Sequence, residues 1–273
     1  MIKKNSNFSL NNKNDKRLSI QFNLDGFSFS IYDIASKKDV YFCEHEFETA
    51  KTTPENLLLK IENIFKTDTL LQDDFISISV VHQNSLGTLV PNQFFDKSKL
   101  ASYLNFTIKT LGTDFITFDE LEQLNSKNVY VPYVNINNYL FQNFGSFEYK
   151  HHHTVLIEKL LKRNKSDAKT MFVNVSKTSL DIVILAKDKL LFCNTFSYVS
   201  KEDFIYYLLF VAEQLNLDVQ EFPLYFMGKI TAEAPIYKIS YQYIKNIYFL
   251  ESNNSIFDAF KIPSHTNFIL LGS

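Results

Sequence analysis

Cys43 and His45 stand two residues apart in "YFCEHEF", a spacing that puts thiol and imidazole on one face of a β-strand. A thiolate beside a general base is the start of a cysteine nucleophile. No carboxylate to orient the imidazole and no oxyanion loop is evident nearby, so a packed strand residue is favoured over catalysis. His151, His152 and His153 suggest a metal site, but adjacent residues on a helix or strand do not share a face. A strand-to-helix junction with packing roles is the better reading. Glu44, Glu46 and Glu48 read as a solvated strand edge rather than an acid/base pair. No catalytic residue and no metal ligand is assigned on this basis. Phosphate-cradling loops need close backbone approach and positive φ, hence glycine. The 273 residues contain six glycines, where average usage gives about nineteen. Nucleotide binding therefore starts at a disadvantage.

The elements that must position these residues repeat. Leu18 to Phe22 alternates, "NLDG" predicts a hairpin turn, and Phe27 to Asp33 sets Phe27, Phe29 and Ile31 against Ser28, Ser30 and Tyr32. Asp39 to Phe47 is a third strand. Thr53 caps a helix with Pro54 at its first position and an apolar stripe of Leu57, Leu58, Ile61, Ile64 and Phe65. Phe75 to Val81 predicts a fourth strand buried at a sheet centre. The same order returns as Met171–Val175, Leu180–Leu185, Lys189–Thr195, a helix Lys201–Leu215 capped by Ser200, and Phe222–Met227. Lys-Asp and Phe-Cys pairs mark the third strand both times, at Lys38–Asp39 with Phe42–Cys43 and at Lys187–Asp188 with Phe192–Cys193. Doubled β-β-β-α-β units are expected. His153 to Arg163 predicts an amphipathic helix, followed by a hinge at "NKSDAK". A helix at Pro235–Tyr243 and strands at Asn246–Leu250 and Asn267–Leu271 complete the chain.

Composition narrows the classes. At 45% hydrophobic and 15% aromatic the chain can bury a large core, and its net charge of −2 gives no strong field. Arg17 and Arg163 are its only arginines, which argues against a nucleic-acid groove. The longest apolar run, Phe204 to Ala212, is too short to cross a bilayer. A polar start without a secretory apolar segment and two cysteines without framework spacing point to the cytoplasm. Residues 1–16 read as a disordered tail, 17–165 as a first lobe with an inserted subdomain at about 86–150, and 166–273 as a second lobe.

Two such units joined by a helix, with an insertion in the first, resemble the actin-like ATPase superfamily. "VNVSKTSLDIVIL" (Val173 to Leu185) looks like its second phosphate loop. The whole chain resembles a Bacteroidetes family of unknown function, number 3822, near the pilus-assembly and cell-division branch. "LSIQFNLDGFSFSIYD", "NVYVPY", "FEYKHHHTVLIEKLL" and "LYFMGKI" carry that likeness. The resemblance implies an α/β fold of mixed sheets in two ribonuclease-H-like lobes of actin-like ATPase type, with a small inserted subdomain. It also implies where a nucleotide would sit: Asp25 and Gly26 in the first loop, Ser176, Lys177, Thr178 and Asp181 in the second, Gly228 and Lys229 at the adenosine loop. The residues depart from the family pattern there. Asn174 stands at an acidic position, Ser176 to Thr178 replace three glycines, and Lys229 replaces another. Gln21 and Asn23 cannot supply a Mg²⁺ carboxylate.

The expectation is a retained fold with a degenerate nucleotide site, no cofactor, and a non-catalytic binding or scaffold role. The alternative is a divergent ATPase or kinase using Lys177 and Asp181. The helix "FIYYLLFVAEQL" is apolar nearly all round, beyond what one sheet requires. Burial within the chain would explain it. If it is not buried, Tyr206 and Phe210 become the interface candidates, with a protein partner of unknown identity or a second copy in a homodimer, and no nucleic acid or membrane span.

Overall fold

The early alternation folds into β1 (Lys16–Asn23), β2 (Gly26–Asp33) and β3 (Lys38–Glu46). These belong to a computed structural model that describes residues 15–47, 53–106 and 108–272. Most of the expected N-terminal tail, and Glu48, lie outside the described residues. The β1–β2 hairpin turns on Leu24 and Asp25, with Asn23 paired to Gly26. Neither Asp25 nor Gly26 takes positive φ, so the Asp-Gly pair is not a left-handed turn. Asn23 Oδ1 instead accepts from the Asp25 N–H at 2.8 Å, and a Cβ on Gly26 would lie 2.9 Å from the His45 carbonyl oxygen.

α1 (Pro54–Thr67) starts as expected, with the Thr53 side chain accepting from Asn56 N. Leu57, Ile61, Ile64 and Phe65 enter the core and Leu58 packs at its margin. β4 (Ser77–His82) is shorter and wetter than its apolar letters suggest. Ile76 precedes the strand and is 62% exposed, Ser77 and Ser79 set one face of its first half toward solvent, and only Val80 to His82 are buried in sequence. β5 (Gly87–Pro91), α2 (Leu100–Leu104), β6 (Thr117–Leu121) and β7 (Ser126–Tyr130) make a small sheet of order β5-β7-β6 around Val90, Leu104 and Val129. α3 (Val134–Phe144) then returns to the main core through Ile136 and Leu140, and β8 (Glu148–His151) joins the main sheet beside β4. That sheet has the order β3-β2-β1-β4-β8. α4 (His152–Arg163) begins where β8 ends.

β9 (Thr170–Val175), β10 (Ser179–Ala186), β11 (Lys189–Ser197), α5 (Lys201–Gln214), β12 (Pro223–Gly228), α6 (Pro235–Tyr243) and β13 (Asn246–Phe249) follow. Their sheet runs β11-β10-β9-β12-β13. Ser200 and Asp203 form a full capping box on α5. α7 (Ile256–Phe260) precedes α8 (Phe268–Leu271). The latter segment, expected as a strand, is a helical turn: four consecutive apolar residues carry no period, and Gly272 N–H closes it on Phe268 O at 2.8 Å. The chain divides into two units. One takes the described residues up to Val155 with Ser255–Lys261; the other takes Leu156–Asn254 and the described residues from Ile262.

Both five-stranded sheets share one plan, two antiparallel pairs followed by two parallel ones. Each outer ladder shifts register at the same place, between Ile31 and Tyr32 in one and between Ile184 and Leu185 in the other. Aligning those bulges matches Leu18 with Met171, Gln21 with Asn174, Ser28 with Asp181 and His82 with Gly228. The landmarks in the sequence fail this test. Cys43 faces Phe29 across the ladder, while Cys193 faces Val183, the match of Ser30. The Phe-Cys pairs are therefore one residue out of step, and Cys43 is buried where Cys193 is half-buried. The repeated plan stands on hydrogen-bond register instead.

Candidate functional site

The second-loop residues lie at the end of β9 and β10. Asn174 is opposite Asp181 in the β9–β10 ladder, and Asp181 is opposite Thr195 in the β10–β11 ladder. Residues directly opposite in adjacent strands point to one face, so their side chains meet. Asn174 Nδ2 donates to Asp181 Oδ2 at 2.9 Å and Thr195 Oγ1 donates to Oδ1 at 2.6 Å. Asp181 is 2% exposed, with both oxygens engaged by its own sheet. The turn Ser176–Thr178 closes through Ser176 N–H to Ser179 O, and Tyr198 fastens it by donating from its hydroxyl to Ser176 O at 2.8 Å. None of Ser176, Lys177 or Thr178 takes positive φ. An anion nest needs alternating right- and left-handed residues so that successive N–H groups converge. Lys177 and Thr178 point into solvent.

Gly228 ends β12 at φ +86°, and a Cβ there would lie 2.3 Å from Val175 O and 2.9 Å from Asn174 Oδ1. Its glycine serves a backbone crossing: Lys229 N–H donates to Val175 O at 2.7 Å and Gly228 N–H to His265 O at 2.8 Å. Lys229 is exposed. Ser176, Lys177, Thr178, Asp181, Gly228 and Lys229 thus gather at one end of one sheet. Asp25 and Gly26 occupy the corresponding hairpin of the other unit. There the matching row is Glu44, Ser28 and Gln21 across β3, β2 and β1, and Gln21 Nε2 donates to Gln83 Oε1 at 2.8 Å. Serine and glutamine occupy the positions where the other sheet has Asp181 and Asn174.

His82, at the position of Gly228, is wholly buried. Its Nδ1 accepts from Tyr133 N–H at 3.1 Å, which leaves the proton on Nε2 to donate to Asn137 Oδ1 at 2.9 Å. Burial pushes its pKa down to about 4, opposed in part by Asn137. The three consecutive histidines do mark the β8–α4 junction. Asp119 there accepts from His151 N–H at 2.8 Å, Thr154 Oγ1 at 2.7 Å and the Tyr130 hydroxyl at 3.0 Å. Asn128 Nδ2 donates to His151 Nδ1 at 3.0 Å, leaving Nε2 to donate to Asn84 O at 3.0 Å. Burial raises the Asp119 pKa against these bonds.

Cys43 requires a correction. The missing carboxylate exists: Cys43, His45 and Asp68 each offer a ligand atom within 4.8 Å of the others. Asp68 follows the last residue of α1, far enough along the chain that no local spacing marks it. A separate groove of about 520 Å³ is lined by Phe65, Gln72, Asp73, Phe75, Tyr139 and Phe144 among others, and holds none of the nucleotide-site residues. On α5, Phe204, Ile205, Leu208, Val211 and Ala212 are buried, whereas Tyr206 is 58% and Phe210 41% exposed. Burial within the chain therefore does not account for the apolar circumference. The two rings stack 5.9 Å apart at 20°.

Solved structures share this architecture. A protein of unknown function with an actin-like ATPase fold from Bacteroides thetaiotaomicron matches at TM-score 0.79 and 20% identity, over 94% of each chain. A chain of the PilM–PilN type IV pilus biogenesis complex matches at TM-score 0.61 and 11% identity, over 93% of this chain and 96% of that one. The ethanolamine utilization protein EutJ from Carboxydothermus hydrogenoformans matches at TM-score 0.52 and 8% identity, over 94% and 87%. The chain has the two-lobed actin-like ATPase fold. It belongs to the family described as Protein of unknown function (DUF3822), whose model matches residues 5–247. No curated protein matches it. Among the described residues no helix is long and apolar enough to cross a membrane.

Proposed function

We propose that this chain is a non-catalytic binding or scaffold protein of the reducing cytoplasm, built on an actin-like fold whose nucleotide site has degenerated. The observation that carries the reading is the Tyr206–Phe210 stack standing in solvent on a helix whose other face is core. Large aromatic side chains are enriched at interface cores, where rigid area is buried at low entropic cost. Glu202 and Glu213 are exposed one turn beyond each end of the stack, as a polar rim would be. A similar fold occurs in a PilM–PilN complex, in keeping with a partner-binding use of this architecture. The occupant proposed for the α5 face is a second copy of the chain, across about 800 Å² per partner.

Light scattering tests the interface. The parent chain is expected to dimerise at micromolar concentration, and the Tyr206→Glu, Phe210→Glu pair to run as a monomer with unchanged circular dichroism. A strictly monomeric parent would end the self-association reading.

The loss of the nucleotide site rests on Asp181 being engaged by Asn174 and Thr195 and on the turn at Ser176–Thr178 lacking a left-handed residue. Calorimetric titration with Mg-ATP is expected to give no saturable heat at micromolar concentrations. Micromolar binding that Lys177→Ala removes would instead support a divergent ATPase or kinase.

A further inference from the structure

We propose that Cys43, His45 and Asp68 form a binding site for one zinc-class divalent cation. Strand alternation sets Cys43 and His45 on the same face of β3, and the end of α1 brings Asp68 to them. All three ligand atoms lie within 4.8 Å of one another, with Cys43 Sγ 3.3 Å from His45 Nε2. Tetrahedral zinc, with bonds of about 2.3 Å to sulfur and about 2.0 Å to nitrogen, holds those two atoms about 3.5 Å apart. The sulfur and nitrogen already stand near ligating separation.

The donor set fits the ion. Thiolate, imidazole and carboxylate are the ligands zinc takes, and three of them leave one position for water. The Asp68 carboxylate is oriented by accepting from Leu70 N–H at 3.2 Å. Tyr41 Oη, on the same face of β3 as Cys43, is buried without a well-formed hydrogen bond. A hydroxyl so placed can serve a metal-bound water as its hydrogen-bond partner. The surrounding core contains Phe47, Ile64, Phe65 and Leu71. Thiolate and carboxylate are costly there without a countercharge, and a dication supplies it.

Burial also decides against a nucleophile. Cys43 has no exposed surface and Asp68 is 4% exposed, so a substrate carbon cannot reach the sulfur. A bare ion can enter past His45, the half-buried member. On binding, the thiol proton leaves to solvent and the sulfur–metal bond forms, so affinity rises with pH.

The experiment uses the full, reduced, tag-free chain titrated first with Co²⁺ and then with Zn²⁺. One equivalent of Co²⁺ is expected to produce thiolate-to-cobalt charge-transfer absorption, which one equivalent of Zn²⁺ erases. With Cys43 and Cys193 the only thiols, retention of the band in Cys193→Ser assigns the sulfur without disturbing the core. Asp68→Asn is expected to weaken zinc about 100-fold, an order taken from losses at metal-site partners. Absence of the band in the parent, its loss in Cys193→Ser, or unchanged zinc affinity in Asp68→Asn would each overturn the site.

Discussion

Gly228→Ala is expected to destabilise the unit containing β9 and β12 by about 4 kcal/mol, close to the limit of what single substitutions do. Two costs combine. The residue sits at φ +86°, where an L side chain is strained by about 1–2 kcal/mol. Its Cβ would also meet Val175 O at 2.3 Å, and that carbonyl is held by the Lys229 N–H. Backbone on both sides cannot yield as a flexible side chain would. Two other glycines separate the terms. Gly145 has φ +75° and ψ −134° but open space where a methyl group would go, so Gly145→Ala should cost about 1–3 kcal/mol from conformation alone. Gly112 has neither constraint, so Gly112→Ala should be close to neutral. Urea denaturation of the three variants checks the order, and a Gly228→Ala chain within about 1 kcal/mol of the parent would disprove the crossing argument.

Acid is expected to destabilise the other unit through His82. The imidazole pKa falls to about 4 in the fold, from 6.5, because burial opposes the charge. The direction follows from proton counting. Above pH 6.5 the ring is neutral folded or unfolded, and the stability is fully present. Between 6.5 and about 4 only the unfolded chain takes the proton, so stability falls with pH. At about 1.36 kcal/mol per unit the loss reaches about 3 kcal/mol. The hydrogen bonds give the same answer structurally, since a proton on Nδ1 would confront the Tyr133 N–H. NMR of the His82 ring should show no titration down to about pH 5, and a midpoint near 6.5 would refute the assignment.

Much of this fold is legible in short stretches. Thr53 with Pro54 and Ser200 with Asp203 start helices where those letters predict, because a cap is satisfied by residues within three positions of it. The helix at Pro235–Tyr243 matches its expected bounds without any side-chain cap, because Pro235 at its first position is already set to the helical φ. The segment Phe268–Leu271 was illegible because four apolar residues cannot show a period. The candidate site divides in the same way. Departures from the phosphate-loop pattern at Ser176 to Thr178 are visible in the letters. The engagement of Asp181 by Asn174 and Thr195 depends on strand register, which brings positions 7 and 14 residues away into one row. Asp68 depends on where α1 happens to stop, a tertiary fact. The apolar circumference of α5 could not distinguish chain from partner as its cover, because exposure of Tyr206 and Phe210 is set by which face the sheet takes.

The paired bulges bear on how this chain survives its own synthesis. β3 and β11 are edge strands, and an edge with unpaired N–H and C=O groups is a template for aggregation. In both, one residue, Val40 or Leu191, is left unmatched at the register shift. A bulge increases local twist and breaks the regular spacing that an incoming strand must match. A newly made chain carrying 27 phenylalanines and 15 tyrosines is exposed to such mispairing until its cores close. Each half carries its own guard on this one edge, so the β3 and β11 edges need not wait for each other to be covered.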